Sequence, residues 1–230
     1  MIFEQLFDKT SSTYTYLISS GPGREALIID PVLEHVETYI KTLNKLNLKL
    51  VKVIDTHIHA DHITGMSDLQ IKTNCETVMG DKTPAEIVSI KVKDQEDIII
   101  DNLKLKAIYT PGHTDCSYSY LMNDRVFTGD TLLINGTGRT DFQNGSAEDA
   151  YDSLFNKLLK LPKDTLVYPA HDYNGKKYST IENEKNNNPR LQVSSKEQYA
   201  EIMNNLNLAN PKMMDIAVPA NVKGLTLDRL

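Results

Sequence analysis

This chain has very little cysteine, no long apolar run and no concentration of positive charge. Cys75 and Cys116 are its only cysteines in 230 residues, too few for a disulfide framework, which points to a reducing compartment. No apolar stretch approaches the ~20 residues that a membrane-spanning helix needs. The opening Met-Ile-Phe-Glu-Gln-Leu-Phe-Asp has no basic segment ahead of an apolar one and no small-residue cleavage site, so it does not read as a secretory signal. Lys and Arg number 25 against 31 Asp and Glu, interleaved along the chain, for a formal net charge of −6. A nucleic-acid or anionic-membrane surface would need a basic patch. The expectation is a cytoplasmic protein with neither nucleic acid nor membrane as a partner. Fixed-period repeats, low-complexity tracts and linkers are also missing, so residues 1–230 are expected to form a single domain, with 180–230 as a C-terminal extension packed on its core.

What is present is a clustering of histidine. Five of six histidines fall in three short segments that also carry aspartate: Thr-His57-Ile-His59-Ala-Asp61-His62, Pro-Gly-His113-Thr-Asp, and Tyr-Pro-Ala-His171-Asp172. Phe-Thr-Gly-Asp130 adds one more carboxylate. Each segment follows an apolar, strand-like run: Leu50–Ile54, Leu103–Tyr109, Leu166–Tyr168 and Val126–Thr128. Residues two apart on an extended segment point the same way, so His57 and His59 share a side. Asp61 and His62 follow at the turn into a helix expected over Ile63–Ile71. An isolated His-x-His would read as solvent-facing polar residues, and a lone His113, Asp130 or His171 as a turn residue. Four donors in six residues, joined by three more groups at strand ends, read instead as a metal site. His35 lies between the inward positions of its helix and is expected to face solvent.

The remaining pattern fits an α/β protein. Strands are expected at Thr13–Ser19, Ala26–Ile29, Thr77–Met79, Ile98–Ile100 and Ser117–Leu121. Leu33, Val36, Ile40, Leu43 and Leu46 recur at a helical period. Ser146 opens a second helix, with Tyr151, Leu154, Phe155, Leu158 and Leu159 on one face. Ser195-Lys-Glu-Gln198 has the form of a capping box leading a third helix, with Tyr199, Ile202, Met203 and Leu206 inward. Glu182–Asn188 is a polar stretch expected to be a surface connection. Two sheets sandwiched between helical layers, with ligands on turns at one edge, suit this order.

His57-x-His59-x-Asp61-His62, His113, Asp130 and His171 together resemble the signature of the metallo-β-lactamase superfamily, which implies an αββα sandwich of two mixed β-sheets flanked by helices. Flanking segments narrow the resemblance. Thr56-His-Ile-His-Ala-Asp-His-Ile-Thr-Gly65, Thr110-Pro-Gly-His-Thr-Asp115, Gly138-Arg-Thr-Asp-Phe142, Tyr168-Pro-Ala-His-Asp-Tyr173, Asn188-Pro-Arg190, Ile202-Met-Asn-Asn-Leu-Asn-Leu208 and Val218-Pro-Ala-Asn221 resemble the persulfide dioxygenases. That family implies one Fe(II) per chain, with His57, His113 and Asp130 as its ligands, and a reaction of glutathione persulfide with O2 to give sulfite and glutathione. Two histidines and a carboxylate are also the donor set of non-haem iron oxygenases. His59, Asp61, His62, His171 and Asp172 are expected to surround those ligands, orienting them and managing protons.

Glutathione carries two carboxylates, so Arg139 and Arg190, with Tyr173 beside the metal, are the candidate substrate contacts. The alternatives are a structural pair between Arg139 and Asp141, and a surface tether at Arg190. The resemblance departs at Gly224, where mammalian relatives carry a cysteine, and at Cys116, where the superfamily commonly has glycine; Cys116 reads as a small buried packing residue. No rhodanese-like segment follows, so a sulfurtransferase would be a separate protein. The family also suggests a homodimer. The competing reading is a dinuclear hydrolase of glutathione thioesters, similar to glyoxalase II, because every donor for a second metal is retained.

Overall fold

A computed structural model describes residues 1–229. The first sheet is built from β1 (Ile2–Asp8), β2 (Thr13–Ser19) and β3 (Glu25–Ile29), then, after helix α1 (Val36–Lys45), β4 (Lys49–Ile54), and, after α2 (Met66–Thr73), β5 (Glu76–Gly80) and β6 (Ile90–Val92). These strands lie in sequence order, antiparallel from β1 to β3 and parallel from β3 to β6.

The second sheet takes β7 (Asp97–Ile100), β8 (Leu103–Tyr109), β9 (Tyr118–Leu121) and β10 (Arg125–Gly129). A small hairpin follows, β11 (Leu132–Leu133) and β12 (Gly136–Thr137), and then helix α3 (Ala147–Tyr151). The chain returns to the sheet as β13 (Leu166–Pro169), parallel to β10, and β14 (Ser179–Thr180). Three helices complete it: α4 (Ile181–Asn187), α5 (Lys196–Asn204) and α6 (Met214–Lys223).

Period-two alternation sorts each strand's side chains into layers. Tyr16 and Ile18 of β2, with Leu27 and Ile29 of β3, enter the core between the sheets and meet Leu105, Ala107, Tyr120 and Phe127. Leu17 and Ile28, on the opposite face, pack under α1, α2 and α6 through Tyr39, Leu43, Leu69, Ala217 and Ala220. Val126 and Val167 play the same part for the second sheet, beneath Leu154, Leu158, Ile181 and Tyr199. The result is the expected αββα sandwich, with the C-terminal helices divided between both outer layers.

Several local expectations shift. The helix after the first histidine motif begins at Met66 rather than Ile63. The helix opened by Ser146, whose Oγ accepts from the N–H of Asp149, widens into π turns over Asp152–Lys157 and tightens over Leu158–Lys160. Ser195 caps its helix as expected, its Oγ accepting from the N–H of Gln198 at 3.3 Å, but the box closes one residue early: Gln198 Oε1 accepts from the N–H and hydroxyl of Ser194. His35 is half-buried and its Nε2 meets Asp8 Oδ1 at 2.9 Å, so it is not simply solvated. The polar stretch 182–188 is not a surface connection. Thr180 caps it as helix α4, and Glu184 and Asn188 are fully buried.

Candidate metal centre

The histidine motifs meet because four strands end at one edge of the sandwich. The parallel strand β4 delivers Asp55–His62, β8 leads through Pro111 and Gly112 to His113, β10 ends one residue before Asp130, and β13 ends two residues before His171. Carboxyl ends of parallel strands are a recurrent ligand-gathering location in α/β folds. Gly112 makes the approach to His113 possible: it has φ +137°, and a Cβ there would lie 2.4 Å from the backbone of Ala150. Gly138 is equally confined, since a Cβ would stand 2.1 Å from the carbonyl oxygen of Asp130.

One nitrogen, carboxylate oxygen or equivalent donor from each of His57, His113 and Asp130 lies within 4.8 Å of the other two. Their surroundings prepare them as ligands. Asp30 Oδ2 accepts from the Thr56 hydroxyl at 3.0 Å, so that Thr56 Oγ1 accepts from His57 Nδ1–H at 2.9 Å. The carbonyl of Arg139 accepts from His113 Nδ1–H at 2.8 Å. Both imidazoles therefore keep Nε2 as a free lone pair, which is the arrangement by which neighbouring groups orient metal-binding histidines. Burial, reinforced by His59 and His113, holds the His57 pKa well below its ordinary value. Asp130 Oδ1 is buried and has no hydrogen-bond partner. A buried, unpartnered carboxylate oxygen is costly unless a cation completes it. Two imidazoles with Nε2 left free and this carboxylate fit a divalent metal.

The other expected residues form a ring around this set. His59 Nε2 contacts Asp30 Oδ1 at 3.2 Å. Burial opposes protonation of His59, but Asp30, Asp55 and Asp61 push its pKa up to about 10. His62 Nδ1–H donates to Asp61 Oδ2 at 2.9 Å, and the Thr13 hydroxyl donates to the same oxygen at 3.1 Å. Burial works to raise the Asp61 pKa, yet His171 and His62 carry it well below the ordinary range. His171 Nδ1–H donates to the carbonyl of Ser12, while Nε2 lies 3.5 Å from Asp61 and 3.6 Å from Asp130. Burial lowers its pKa, but these two carboxylates outweigh that and leave it raised. His59, Asp61 and His62 also form a compact set of three donors, and His59 Nδ1 and His62 Nε2 are buried without partners. Asp172 is placed differently: its Oδ2 accepts from the N–H groups of Asn174 and Lys176 and closes that turn.

A cavity of about 440 Å³ opens over the centre, with Asp61, His113, Asp130 and His171 at its floor. Ala60, Leu133, Leu208, Ala209 and Pro211 make its walls largely apolar, and Tyr173 stands at its exposed mouth. Both candidate arginines line it, but they are not equivalent. The Arg139 guanidinium forks onto both oxygens of Asp141 at 2.7 Å, donates to the carbonyl of Ala209 at 2.7 Å and stacks over Phe142. It is the structural pair that the sequence left as an alternative, and it also tethers the 208–209 segment. Arg190 donates to the carbonyl of Thr137 and has no carboxylate within ion-pair distance among the described residues.

Comparison with known proteins decides the family. The model of the metallo-beta-lactamase superfamily matches residues 9–171. The mitochondrial persulfide dioxygenase ETHE1 of Mus musculus is 42% identical over 226 residues, covering 97% of this chain and 88% of that protein. This chain belongs to the persulfide dioxygenase family. The crystal structure of ETHE1 from Myxococcus xanthus agrees, with a TM-score of 0.94 at 50% identity, covering 96% of this chain and 98% of that one. A probable hydroxyacylglutathione hydrolase of Schizosaccharomyces pombe is 35% identical over 170 residues, covering 71% of this chain and 65% of that protein. Similarity to the persulfide dioxygenases thus continues through the C-terminal helices.

That C-terminal region holds a contributor that motif reading did not assign. Asn221 of α6 is buried; its Nδ2 donates to the carbonyls of His59 and His62, and its Oδ1 accepts from the N–H of Thr64. Asp30 and Thr56 were equally missed. The positive φ of Asp30, +49°, is not visible in sequence, and its contact with Thr56 spans 26 residues.

Proposed function

We propose that this protein oxidises glutathione persulfide with O2 and water to sulfite, glutathione and two protons, using one Fe(II) held by His57, His113 and Asp130. The observation that carries this reading is a set of two histidines, each with Nε2 left free, and one carboxylate whose buried Oδ1 has no hydrogen bond, gathered beneath an apolar-walled cavity, in a chain similar over nearly its whole length to persulfide dioxygenases. Bound Fe(II) supplies the one-electron chemistry that lets O2 react with a sulfur anion, and zinc lacks it.

The residues around the metal have separate tasks. Arg190, half-buried and without a carboxylate partner among the described residues, presents its charge to a carboxylate of the tripeptide. Leu133 and Leu208 cover the methylene groups and exclude water from the reacting sulfur. His171 Nε2, between Asp61 and Asp130, accepts a proton from the water that cleaves the oxidised persulfide, and the two carboxylates that raise its pKa stabilise the imidazolium so formed. Thr56 and the Arg139 carbonyl keep His57 and His113 in the ligating tautomer. A reducing, cytoplasmic setting is part of the proposal, supported by Cys75 and Cys116 being buried free thiols.

The second donor set of His59, Asp61 and His62 favours one rival, a dinuclear hydrolase of glutathione thioesters. One experiment separates them. Protein loaded anaerobically with iron is given glutathione persulfide in an oxygen electrode, and sulfite is measured at the end. The dioxygenase consumes one O2 per sulfite. Absent oxygen uptake by iron-replete protein, together with thioester cleavage at two metals per chain, would establish the hydrolase.

A further inference from the structure

The β11–β12 hairpin is a wall of the cavity and a bridge between two metal ligands. It starts two residues after Asp130 and ends at Thr137, and the N–H of the next residue, Gly138, donates back to the Asp130 carbonyl at 2.7 Å. The following carbonyl, that of Arg139, fixes His113. Leu133, Thr137 and Gly138 face the cavity. Strands of two residues do not hold a pose alone, because an isolated hairpin is marginal even when longer. The tip residue Asn135 is also left-handed, at φ +58°.

The hairpin is held from α4. Glu184 is fully buried. Its Oε2 accepts from the N–H of Asn135 and from Asn188 Nδ2, each at 2.8 Å. Its Oε1 accepts from the Ser179 hydroxyl and from Asn183 Nδ2. Asn188, fully buried as well, donates to the Gly136 carbonyl at 2.9 Å, and its Oδ1 accepts from the N–H of Arg190 at 3.1 Å. Arg190 then donates to the Thr137 carbonyl. No Lys, Arg or His pairs with Glu184 among the described residues. A carboxylate buried with only neutral donors carries a desolvation cost that packing alone does not require. An apolar residue would fill the same position in a helix that served only the core.

We propose that Glu184, acting through Asn188, is a positioning residue for the metal centre and the cavity. It fixes the hairpin tip, and so the backbone that carries Asp130 and the carbonyl that orients His113. Through Asn188 it also aims the guanidinium of Arg190 into the cavity. The second effect rests on the reading of Arg190 given above; the first does not.

Glu184→Gln tests this at constant volume, since one oxygen becomes an NH2 group that must face existing donors. It is compared with Leu158→Ala, a cavity-forming change in the same outer layer that does not line the site. Each protein is loaded with Co(II) for its ligand-field absorption, and separately with Fe(II) for kinetics. Glu184→Gln should alter the Co(II) bands and raise KM for glutathione persulfide about tenfold, with kcat changed less than about threefold. Leu158→Ala should lower the thermal midpoint and leave bands and KM as in the wild type. Wild-type bands and KM in folded Glu184→Gln, or the same changes in Leu158→Ala, overturn the proposal. If Glu184→Gln does not fold, Asn188→Ala carries the same expectation, and failure of both to fold assigns Glu184 to the fold alone. Arg190→Gln with unchanged KM would remove only the Arg190 half, because the Co(II) bands report the metal independently of substrate.

Discussion

The side-chain amide of Asn221 donates to the carbonyl of His59 at 2.9 Å, joining the last long helix to the loop that carries four metal-type donors. With the bonds to the His62 carbonyl and the Thr64 N–H, it satisfies three backbone groups of a buried loop that forms neither helix nor strand. Such groups are costly when left unpaired. The C-terminal segment is thereby built into the metal centre, although no residue of α6 lines the cavity.

Asn221→Ala strands two carbonyls and one N–H in the interior. The expected loss is about 2–4 kcal/mol in chemical denaturation, from unsatisfied buried groups. Iron should also dissociate about tenfold faster, as when other groups that orient ligands are removed. Denaturation curves and iron retention through dialysis measure both. An alanine variant with wild-type values in each would show that the loop holds itself.

Asp130 and Asp61 distinguish one metal from two. Asp130→Ala should abolish iron binding and oxygen uptake together, because it removes the only carboxylate of the proposed set. Asp61→Asn should retain one iron per chain while slowing turnover, since Asp61 acts on His171 and His62 rather than on the metal. Elemental analysis of the anaerobically loaded proteins decides. Stoichiometric iron in Asp130→Ala means that the ligands are wrongly assigned, and a fall from two metals to one in Asp61→Asn means that the site is dinuclear.

The donors were legible because their signal is local. A strand such as Leu50–Ile54 announces its burial by composition, and the residues that follow it must emerge at the sheet edge. The partners of those donors were not legible, because their contacts cross long stretches of chain: Asp30 to Thr56, Ser12 to His171, Asn221 to His59. Periodicity says that a position is buried and is silent about what it touches. Glu184 shows the same limit in reverse. In a run of Glu, Asn and Lys nothing marks one glutamate as interior, and only the hairpin it supports explains its burial. Arg139 had two readings of equal chemical sense, and the two-residue spacing to Asp141 could not choose between them.

Those two arginines should behave differently on substitution. Arg190→Gln should raise KM about tenfold or more with little change in thermal stability, the pattern expected when a ground-state charge contact is lost. Arg139→Gln should instead cost about 1 kcal/mol, since Asp141 is solvent-exposed and its pairing is screened. It should also loosen the Leu208–Ala209 segment, seen as faster amide exchange there. A KM effect confined to Arg139→Gln would reverse the assignment.

Asp8, which does not line the cavity, provides a pH test of its own. Burial favours its neutral form, but the Ser11 hydroxyl and N–H, with His35, outweigh that and hold its pKa at about 2, below the ordinary 3.8. A carboxylate whose pKa is lower in the folded state binds protons less readily there than in the unfolded chain. Its contribution is therefore complete above about pH 4 and disappears as pH falls through about 2. Because water screens part of the site, the expected size is about 1 kcal/mol. Urea unfolding of metal-free Asp8→Asn and wild-type protein should differ by that amount at pH 7 and converge between pH 4 and 2. His35→Gln leaves both Ser11 bonds intact and should keep most of the wild-type pH dependence. Parallel curves for Asp8→Asn and wild type down to pH 2 would show that the Ser11 bonds do not favour the ionised carboxylate.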